Sequence, residues 1–292
     1  MYQKFFQPRN VLVCSPAHDR TRILPRLIKN IKTQFGGKIF NVRVNSKQKK
    51  GELYSSVSQI IEEVDLAILK LPVSQLLTTL RECGEQGIKF VVILSTTNSR
   101  NSISKKLKEK ITAVGTRYGM NILGPRSGGF LNTCSGFNPS IFDLPKKGYI
   151  SVISTSIHRT EEILKWGKDQ KIGFSSIFTL GEMAGLTENE LMIYLDQDKH
   201  TKIILLCLEK LTDEKNFLRL VEMISKRKNI VMISCGSLRG ERFANSESYT
   251  RIAEKGAMMT HSLPECFNVL DVVFKIHKKY SFFELLRLWQ KN

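Results

Sequence analysis

Residues 64–95, VDLAILKLPVSQLLTTLRECGEQGIKFVVILS, decide the fold class of this chain. The apolar runs Leu66–Leu71 and Phe90–Leu94 have the length of buried strands, and Ser74–Gln86 between them has helical spacing. A strand, a helix and a second strand in this order form a βαβ unit, in which the two strands lie parallel in one sheet. Such units connect with a right-handed crossover, and ligands bind at the carboxyl ends of their strands.

The same alternation extends through the rest of the first half of the chain. Its other predicted strands are Asn10–Cys14, Ile39–Val44 and Asn121–Leu123, and its other predicted helices are Thr21–Lys32, Ser56–Glu63 and Ser102–Tyr118. Glycine and proline are dense over Gly124–Gly148, which predicts a loop and a linker.

Alternation resumes after this break. The predicted strands are Tyr149–Ser154, Ser176–Leu180, Lys202–Leu208, Ile230–Ser234 and Ala257–Thr260. The predicted helices are Thr160–Lys168, Glu188–Asp196, Lys215–Lys226 and Glu247–Lys255. We therefore predict two three-layer α/β domains, residues 1–145 and residues 146–292.

Composition excludes several classes of protein. With 292 residues and 41% apolar residues, the chain can bury a real core, and no apolar stretch reaches the roughly 20 residues of a membrane helix. The N-terminus lacks the apolar region of a signal peptide. Six cysteines lie far apart, without a CxxC pair or a Cys/His cluster, so we expect reduced thiols, a cytoplasmic protein and no bound metal.

The net charge is +18, and most of it lies in the first half. Residues 1–145 hold 22 Lys and Arg against 9 Asp and Glu, whereas residues 146–292 hold 23 against 18. A basic half favours a polyanionic partner, such as a nucleic acid, an anionic surface or a phosphate-rich cofactor. The alternative is that these charges are only a solvated surface.

The first βα turn, residues 14–21, reads CSPAHDRT and contains no glycine. A dinucleotide fold places glycines in this turn so that the backbone approaches the ligand, so NAD chemistry is not expected. Asp19 and Thr21 are interpreted as helix N-caps, and an anion at the helix start would also meet Arg20 and Arg22.

Several motifs in order resemble the NDP-forming acyl-CoA synthetases, which include ADP-forming acetate–CoA ligases and the α subunit of succinyl–CoA ligase. Residues 64–95 resemble their CoA-binding domain, and YGMNILGPRSGGFLN at 118–132 resembles their YGM-x-ILGPN segment. In the second half, 148–182 resembles their SQSG…GIGFS…SLGN run, and 194–220 their YL-x-x-D-x-x-T…E…F run.

The resemblance implies a Rossmann-like CoA-binding domain followed by a flavodoxin-like domain of the succinyl-CoA synthetase type. It implies CoA or acyl-CoA as the ligand. It assigns CoA binding to Ser15, Ala17, Lys47, Leu71, Pro72, Val73, Ser95, Thr96 and Arg126. It assigns phosphate binding to Ser154, Thr155 and Ser156, where the glutamine and glycine of the SQSG turn are missing.

In the family, acyl phosphate, nucleotide and CoA are interconverted through a phosphorylated histidine on an SHTG loop, oriented by a glutamate. Glu209 matches the glutamate, but the matching segment, residues 235–250, contains no histidine. Glu209 is therefore interpreted as vestigial, and His261, which ends the last predicted strand, as the best-placed substitute.

Three hypotheses follow. The first is a CoA-binding α-type protein that is catalytically silent or regulatory, and the second is an active α-type subunit. Because this family also needs an ATP-grasp domain, the partner would be a separate β-type subunit. The third is a nucleic-acid-binding protein, suggested by the lysine runs near residues 47–50, 105–110 and 226–228. The apolar tail Phe282–Trp289 indicates either an oligomer interface or a docked terminal helix.

Overall fold

The computed structural model describes residues 3–19, 21–44, 53–94, 103–234 and 247–279. They form two sheets flanked by helices. The first sheet contains β1 (Asn10–Pro16), β2 (Lys38–Val44), β3 (Leu53–Tyr54), β4 (Leu66–Leu69), β5 (Phe90–Leu94) and β6 (Asn121–Ser127). Its spatial order is β3-β2-β1-β4-β5-β6, and all its pairings are parallel.

The second sheet contains β7 (Gly129–Asn132), β8 (Lys147–Ser154), β9 (Phe174–Thr179), β10 (Ile203–Leu208), β11 (Asn229–Ser234) and β12 (Met258–Thr260). Its order is β12-β11-β10-β8-β9-β7, parallel except for β7, which runs antiparallel to β9. The central strands of both sheets are buried along their whole length, which is why their sequences are unbroken apolar runs.

The helices of the described ranges are α1 (Gln3–Phe6), α2 (Ile23–Lys32), α3 (Val73–Glu85), α4 (Lys105–Tyr118), α5 (Ile157–Asp169), α6 (Glu188–Gln197), α7 (Glu214–Ile224), α8 (Glu247–Glu254) and α9 (Leu263–Lys279). Local sequence fixes their ends. The hydroxyl of Ser104 caps α4 by accepting the amide of Leu107 at 3.2 Å, and Gly119 ends the helix in the left-handed conformation, at φ 60°.

Two sequence predictions are wrong. The helix predicted over Ser56–Glu63 is a single 3₁₀ turn, Val57–Gln59, because Val57 and Ile60 alone face the core while Ile61 is fully exposed. The loop predicted over Gly124–Gly148 contains the last residues of β6, all of β7 and the first residues of β8. Its glycines serve close backbone contacts, since a Cβ on Gly129 would lie 2.3 Å from the carbonyl oxygen of Pro139.

A backbone seam joins the two sheets. The loop after β9 lies along β6, and three of its amides, those of Glu182, Ala184 and Leu186, donate to carbonyl groups of β6 at 2.7–2.9 Å. The hydroxyl of Thr112 on α4 also donates to the carbonyl of Ala184 at 2.7 Å. The first sheet is thereby held in a fixed position relative to the loop that follows β9.

An aromatic cluster fills the space between the sheets. Phe130 of β7 is fully buried and stacks on Phe5 of α1, with ring centroids 4.3 Å apart. Phe130 also stacks on Phe178 of β9 at 6.2 Å, and Phe5 contacts Phe90 of β5 at 5.3 Å. One apolar core therefore runs from the first sheet to the second.

A buried ion pair closes the first βα turn. The ammonium group of Lys70, directly after β4, lies 2.7 Å from the carboxylate of Asp19, and both side chains are only 3% exposed. Burial by itself raises the pKa of the Asp19 carboxyl, but hydrogen bonds from Lys70 and Thr21 outweigh it, so the pKa lies below its usual value. The pair ties the end of β1 to the end of β4.

We expect Phe130→Ala to lower the free energy of unfolding by about 3–5 kcal/mol, because it empties a fully buried site shared by both sheets. Urea unfolding followed by circular dichroism measures this loss. Phe130→Leu, which refills most of the volume, is expected to recover more than half of it. A loss below about 1 kcal/mol in the alanine variant would contradict the shared core.

We expect Asp19→Asn to lower the free energy of unfolding by about 3 kcal/mol at pH 7, because Lys70 is left as an unpaired buried charge. The folded-state pKa of Asp19 is depressed, so its contribution is complete above the unfolded pKa and is lost as the pH falls below it.

The difference between the wild type and Asp19→Asn should therefore shrink between pH 5 and pH 2 in urea titrations. Glu222→Gln, which removes the exposed pair with Lys255, serves as the control and should have little effect at any pH. A difference that stays constant down to pH 2 would refute the assignment.

Candidate functional site

The first sheet changes direction of winding between β1 and β4, since β2 and β3 lie on one side of β1 and β4, β5 and β6 on the other. In open α/β sheets this switch point, at the carboxyl ends of the strands, is where ligands bind. Here the hydroxyl of Ser15 accepts a 2.6 Å hydrogen bond from the guanidinium of Arg43 on β2. The amide of Lys70 donates to the carbonyl of Cys14 at 2.9 Å.

Two cations, Arg43 and Lys70, therefore flank the end of β1. Sequence analysis missed both, although a lysine directly after the buried run Leu66–Leu69 already demands a partner. The prediction that Asp19 and Thr21 are helix N-caps is wrong. The helix α2 begins only at Ile23 with Arg22 as its N-cap residue, and Asp19 is engaged by Lys70.

The other residues assigned to CoA lie around this switch point or outside the described residues. Leu71 is buried, Pro72 precedes the first residue of α3 with extended backbone, and Val73 is 56% exposed. Ala17 is partly buried in the turn after β1. Lys47, Ser95 and Thr96 lie outside the described residues.

Arg126 occupies an unusual backbone conformation near the end of β6, with φ 60°. Its guanidinium lies 3.4 Å from the carboxylate of Glu182, in the loop that forms the seam. Gly181 permits this approach, because its φ is +64° and a Cβ there would lie 2.2 Å from the carbonyl oxygen of Pro125. Arg126 therefore bridges the first sheet and the second half of the chain.

The second sheet has its own switch point, between β8 and β10. The turn after β8 is closed by its own hydroxyl groups. The hydroxyl of Ser154 accepts the amide of Ser156 at 3.1 Å, and the hydroxyl of Ser156 accepts the amide of Arg159 at 3.3 Å. Ser156 is thus the N-cap of α5.

Thr155 links this turn to β10. Its amide donates to the carbonyl of Cys207 at 3.0 Å, and its hydroxyl accepts the amide of Glu209 at 3.3 Å. Glu209 is exposed and directly follows β10, so its backbone lies at the switch point beside the Ser154–Ser156 turn. The structure places Glu209 next to the Ser154–Ser156 turn, and the phosphate-binding and orienting roles of these residues stay predictions.

The histidines lie at different places. His158, on the first turn of α5, is 3.7 Å from Glu162 and strongly exposed. His261 follows β12 and stacks on Tyr249, with ring centroids 5.1 Å apart. Since β11 separates β12 from β10, two strand spacings of about 4.8 Å separate His261 from the strand that precedes Glu209. Within the described ranges, the carboxylate of Glu209 makes no hydrogen bond to a histidine.

Charged side chains from the two halves approach each other beside Glu209. Burial lowers the pKa of Lys108 on α4, and the nearby ammonium of Lys210 lowers it further, while Glu182 opposes this shift. Lys210 directly follows Glu209. The carboxyl edge of the first sheet therefore lies near the switch point of the second, across the seam.

Two features of the motifs are structural. The aspartate and threonine of the YL-x-x-D-x-x-T run, Asp198 and Thr201, hydrogen-bond to each other at 2.5 Å before β10, at the amino edge of its sheet.

In the third lysine run, Lys228 donates to the carbonyls of Leu195 and Asp198, and Arg227 pairs with Asp196. This run supports the fold. A nucleic-acid partner stays a prediction.

The oxidation state of the cysteines differs in part from the expectation of reduced thiols. Cys14, Cys83, Cys134 and Cys266 are free thiols, but Cys207 is disulfide-bonded. The expectation of reduced thiols is therefore wrong at Cys207. In the part of the chain that the structure describes, no group of three or more His, Cys, Asp or Glu side chains could hold a metal, and no helix has the length and apolarity to cross a bilayer.

Two family models match the chain, one on each half. The CoA binding domain matches residues 9–133, and the succinyl-CoA ligase like flavodoxin domain matches residues 147–270. The two sheets lie largely within these ranges, which confirms the predicted Rossmann-like domain followed by a flavodoxin-like domain.

Curated relatives align with nearly the whole chain. The α subunit of acetate–CoA ligase [ADP-forming] II from Pyrococcus furiosus is 32% identical over 277 residues, which cover 94% of this chain and 58% of the relative. Acetate–CoA ligase [ADP-forming] from Methanocaldococcus jannaschii is 30% identical over 287 residues, covering 96% of this chain and 39% of the relative. The chain thus spans about two fifths to three fifths of the length of these relatives.

Solved structures share the fold. A crystal structure of a Pyrococcus horikoshii protein superposes with a TM-score of 0.80 at 28% identity, covering 91% of this chain and 60% of the other. The apo form of acetyl-coenzyme A synthetase 1 from Candidatus Korarchaeum cryptofilum gives a TM-score of 0.81 at 23% identity, covering 92% and 61%. With both family models matched in order and the ligase α subunits as relatives, the chain belongs to the NDP-forming acyl-CoA synthetase family.

Proposed function

We propose that this chain is a CoA- or acyl-CoA-binding protein of the α-subunit type that is catalytically silent or regulatory. The observation that carries the first part is the guanidinium of Arg43 beside Ser15 at the switch point of the first sheet, next to the turn that the buried Lys70–Asp19 pair closes. This is the place where an open α/β sheet binds phosphates. The family model matched to residues 9–133 supports the same ligand.

The residues present fit the phosphate groups of CoA. Arg43 supplies positive charge, whereas the charge of the buried Lys70 is neutralised by Asp19. The exposed start of α2 supplies backbone amides in a turn without acidic residues other than Asp19. CoA, when bound, supplies the thiol that carries an acyl group. Arg43 would hold a phosphate through its guanidinium, and the exposed Pro72 and Val73 would offer an apolar shoulder.

Catalytic silence rests on the missing imidazole. Residues 201–260 contain no histidine, so Glu209 has no partner ring supplied from the segment that carries it in the family. Glu209 in its exposed position is, in this proposal, a retained but unused carboxylate. His261 would be the substitute only if it moved past β11.

We also propose that the two halves of the chain have separate roles. Residues 1–145 would bind CoA, and residues 146–292 would form the ligase-type lobe, with β7 reaching from the first half into the second sheet. A separate ATP-grasp β-type subunit is the proposed partner, since a ligase α subunit is among the relatives. The cytoplasm, where CoA is abundant, is the proposed location.

We expect CoA to bind the wild-type chain in isothermal titration calorimetry at low salt. Arg43→Gln should weaken this binding about five- to tenfold, because one charge-assisted hydrogen bond is lost. Arg117→Gln, at the far end of α4, is the matched control and should bind CoA like the wild type.

The proposal fails if the wild type gives no heat with CoA, acetyl-CoA or any adenine nucleotide. Equal weakening in both arginine variants would mean that net charge, and not the switch point, determines the affinity.

The second candidate is an active α-type subunit, and the position of Glu209 favours it. The amide of Glu209 is held by Thr155 at the switch point, beside the N-cap of α5, where helix N-termini stabilise anions. A phosphoryl group there would still need a nucleophile, and His158 and His261 are the histidines of the second half that lie near the carboxyl edge of its sheet.

We expect no acid-labile phosphate on the chain after incubation with a purified ATP-grasp β-type subunit and γ-labelled ATP, because no imidazole lies beside Glu209. His158→Asn and His261→Asn are the variants that assign any label that does form. Label in the wild type that disappears in either variant would overturn catalytic silence and establish the second candidate.

A further inference from the structure

A cleft of about 660 Å³ lies between the two halves, away from the proposed CoA site. Its floor is apolar and consists of Phe142, Leu144, Leu164 and Ile172, of which Phe142 and Ile172 are buried. Pockets for small molecules have volumes of about 300–1,000 Å³ and mainly apolar walls with a few polar groups. The size and the lining of this cleft match that description.

The walls of the cleft are held in place without a ligand. Asn30 of α2 is buried, and its amide donates to the carbonyls of Ser140 and Phe142 at 2.9 and 2.7 Å. Asn138 donates to the same carbonyl of Phe142 at 2.9 Å. The Phe142 ring also packs closely on Gly128, where a Cβ would lie 2.8 Å from it. The cleft is therefore preformed.

The rim of the cleft is cationic. Of its charged residues, five are basic and two are acidic, and one of the acids, Asp143, already pairs with Arg26 at 3.1 Å. The basic residues are Arg26, Lys146, Lys165, Lys168 and Lys171. The lysines of this rim are exposed, so their ammonium groups can reach a ligand above the apolar floor. This charge favours an anionic occupant.

The cleft is distinct from the proposed CoA site. Lys146 directly precedes β8, and Ile172 lies just before β9, so the cleft lies at the amino edge of the second sheet. Glu209 and the Ser154–Ser156 turn lie at the opposite, carboxyl edge of that sheet. A ligand in the cleft would not compete directly with one at the switch points.

We infer that this cleft binds an amphipathic anion, with an alkyl body on the floor formed by Phe142, Leu164 and Ile172 and an anionic head among the rim lysines. The shared chemistry is an apolar chain that carries one oxyanion group. A free carboxylate and a phosphate ester are the two sources of such a head. The inference does not depend on CoA binding.

The test measures binding of dodecanoate, dodecyl phosphate and neutral dodecanol to the full chain by calorimetry, each below its micelle-forming concentration. We expect the two anions to bind one to one and dodecanol to bind more weakly. Lys165→Gln combined with Lys168→Gln should weaken both anions about three- to fivefold each and leave dodecanol unchanged.

Lys105→Gln combined with Lys106→Gln, on the exposed start of α4, is the matched control and should leave all three affinities unchanged. Leu164→Asn, which makes the floor polar, should weaken all three ligands. Its far-UV circular dichroism and thermal unfolding should match those of the wild type, which shows that it is folded.

Binding of only one of the two anions would still support the inference and would identify the head group. Equal affinity for all three ligands, or anion affinities that do not change in the Lys165/Lys168 variant, would overturn it. Absence of binding by both anions would also overturn it, whatever the result with CoA.

Discussion

The seam between β6 and the loop after β9 is the constraint on which the arrangement of the molecule depends. Three backbone amides of the loop donate to β6, and the side chains of Thr112 and Arg126 add contacts on either side. Backbone hydrogen bonds need close approach, which is why a glycine, Gly181, lies where a side chain would strike Pro125. Because the seam fixes the first sheet against the second, the switch points of the two sheets lie near each other although they are far apart in sequence.

Most of the fold could be predicted from the sequence, because long apolar runs and helical periodicity are local signals. The strands β1, β4, β5 and β10 follow from their unbroken apolar residues. The failures lie where the structure is determined by distant partners. The strand β7 was hidden among glycines because its pairing with β9 is made across more than forty residues, and α9 went unpredicted between a short strand and the apolar tail.

The candidate site was predictable only to the level of its motifs. Leu71, Pro72, Glu209 and the Ser154–Ser156 turn could be placed by resemblance, and their positions at strand ends follow from the alternation. Arg43 and Lys70 could not be selected from 45 Lys and Arg, because their importance comes from the parallel register that places β2 and β4 on either side of β1. No sequence motif marks the cleft beside α5, since its walls come from α2, the segment before β8 and the turn before β9.

The strand β7 has a consequence for how this chain can be divided. It comes before residue 145 in the sequence, yet it covers the outer side of β9 in the second sheet. A fragment that starts at residue 146 would open to solvent the amides and carbonyls of β9 that pair with β7, and an open strand edge recruits other chains. Residues Gly129–Asn132 thus protect an edge of the second sheet, and biochemical dissection of this protein should cut before Gly129 or not at all.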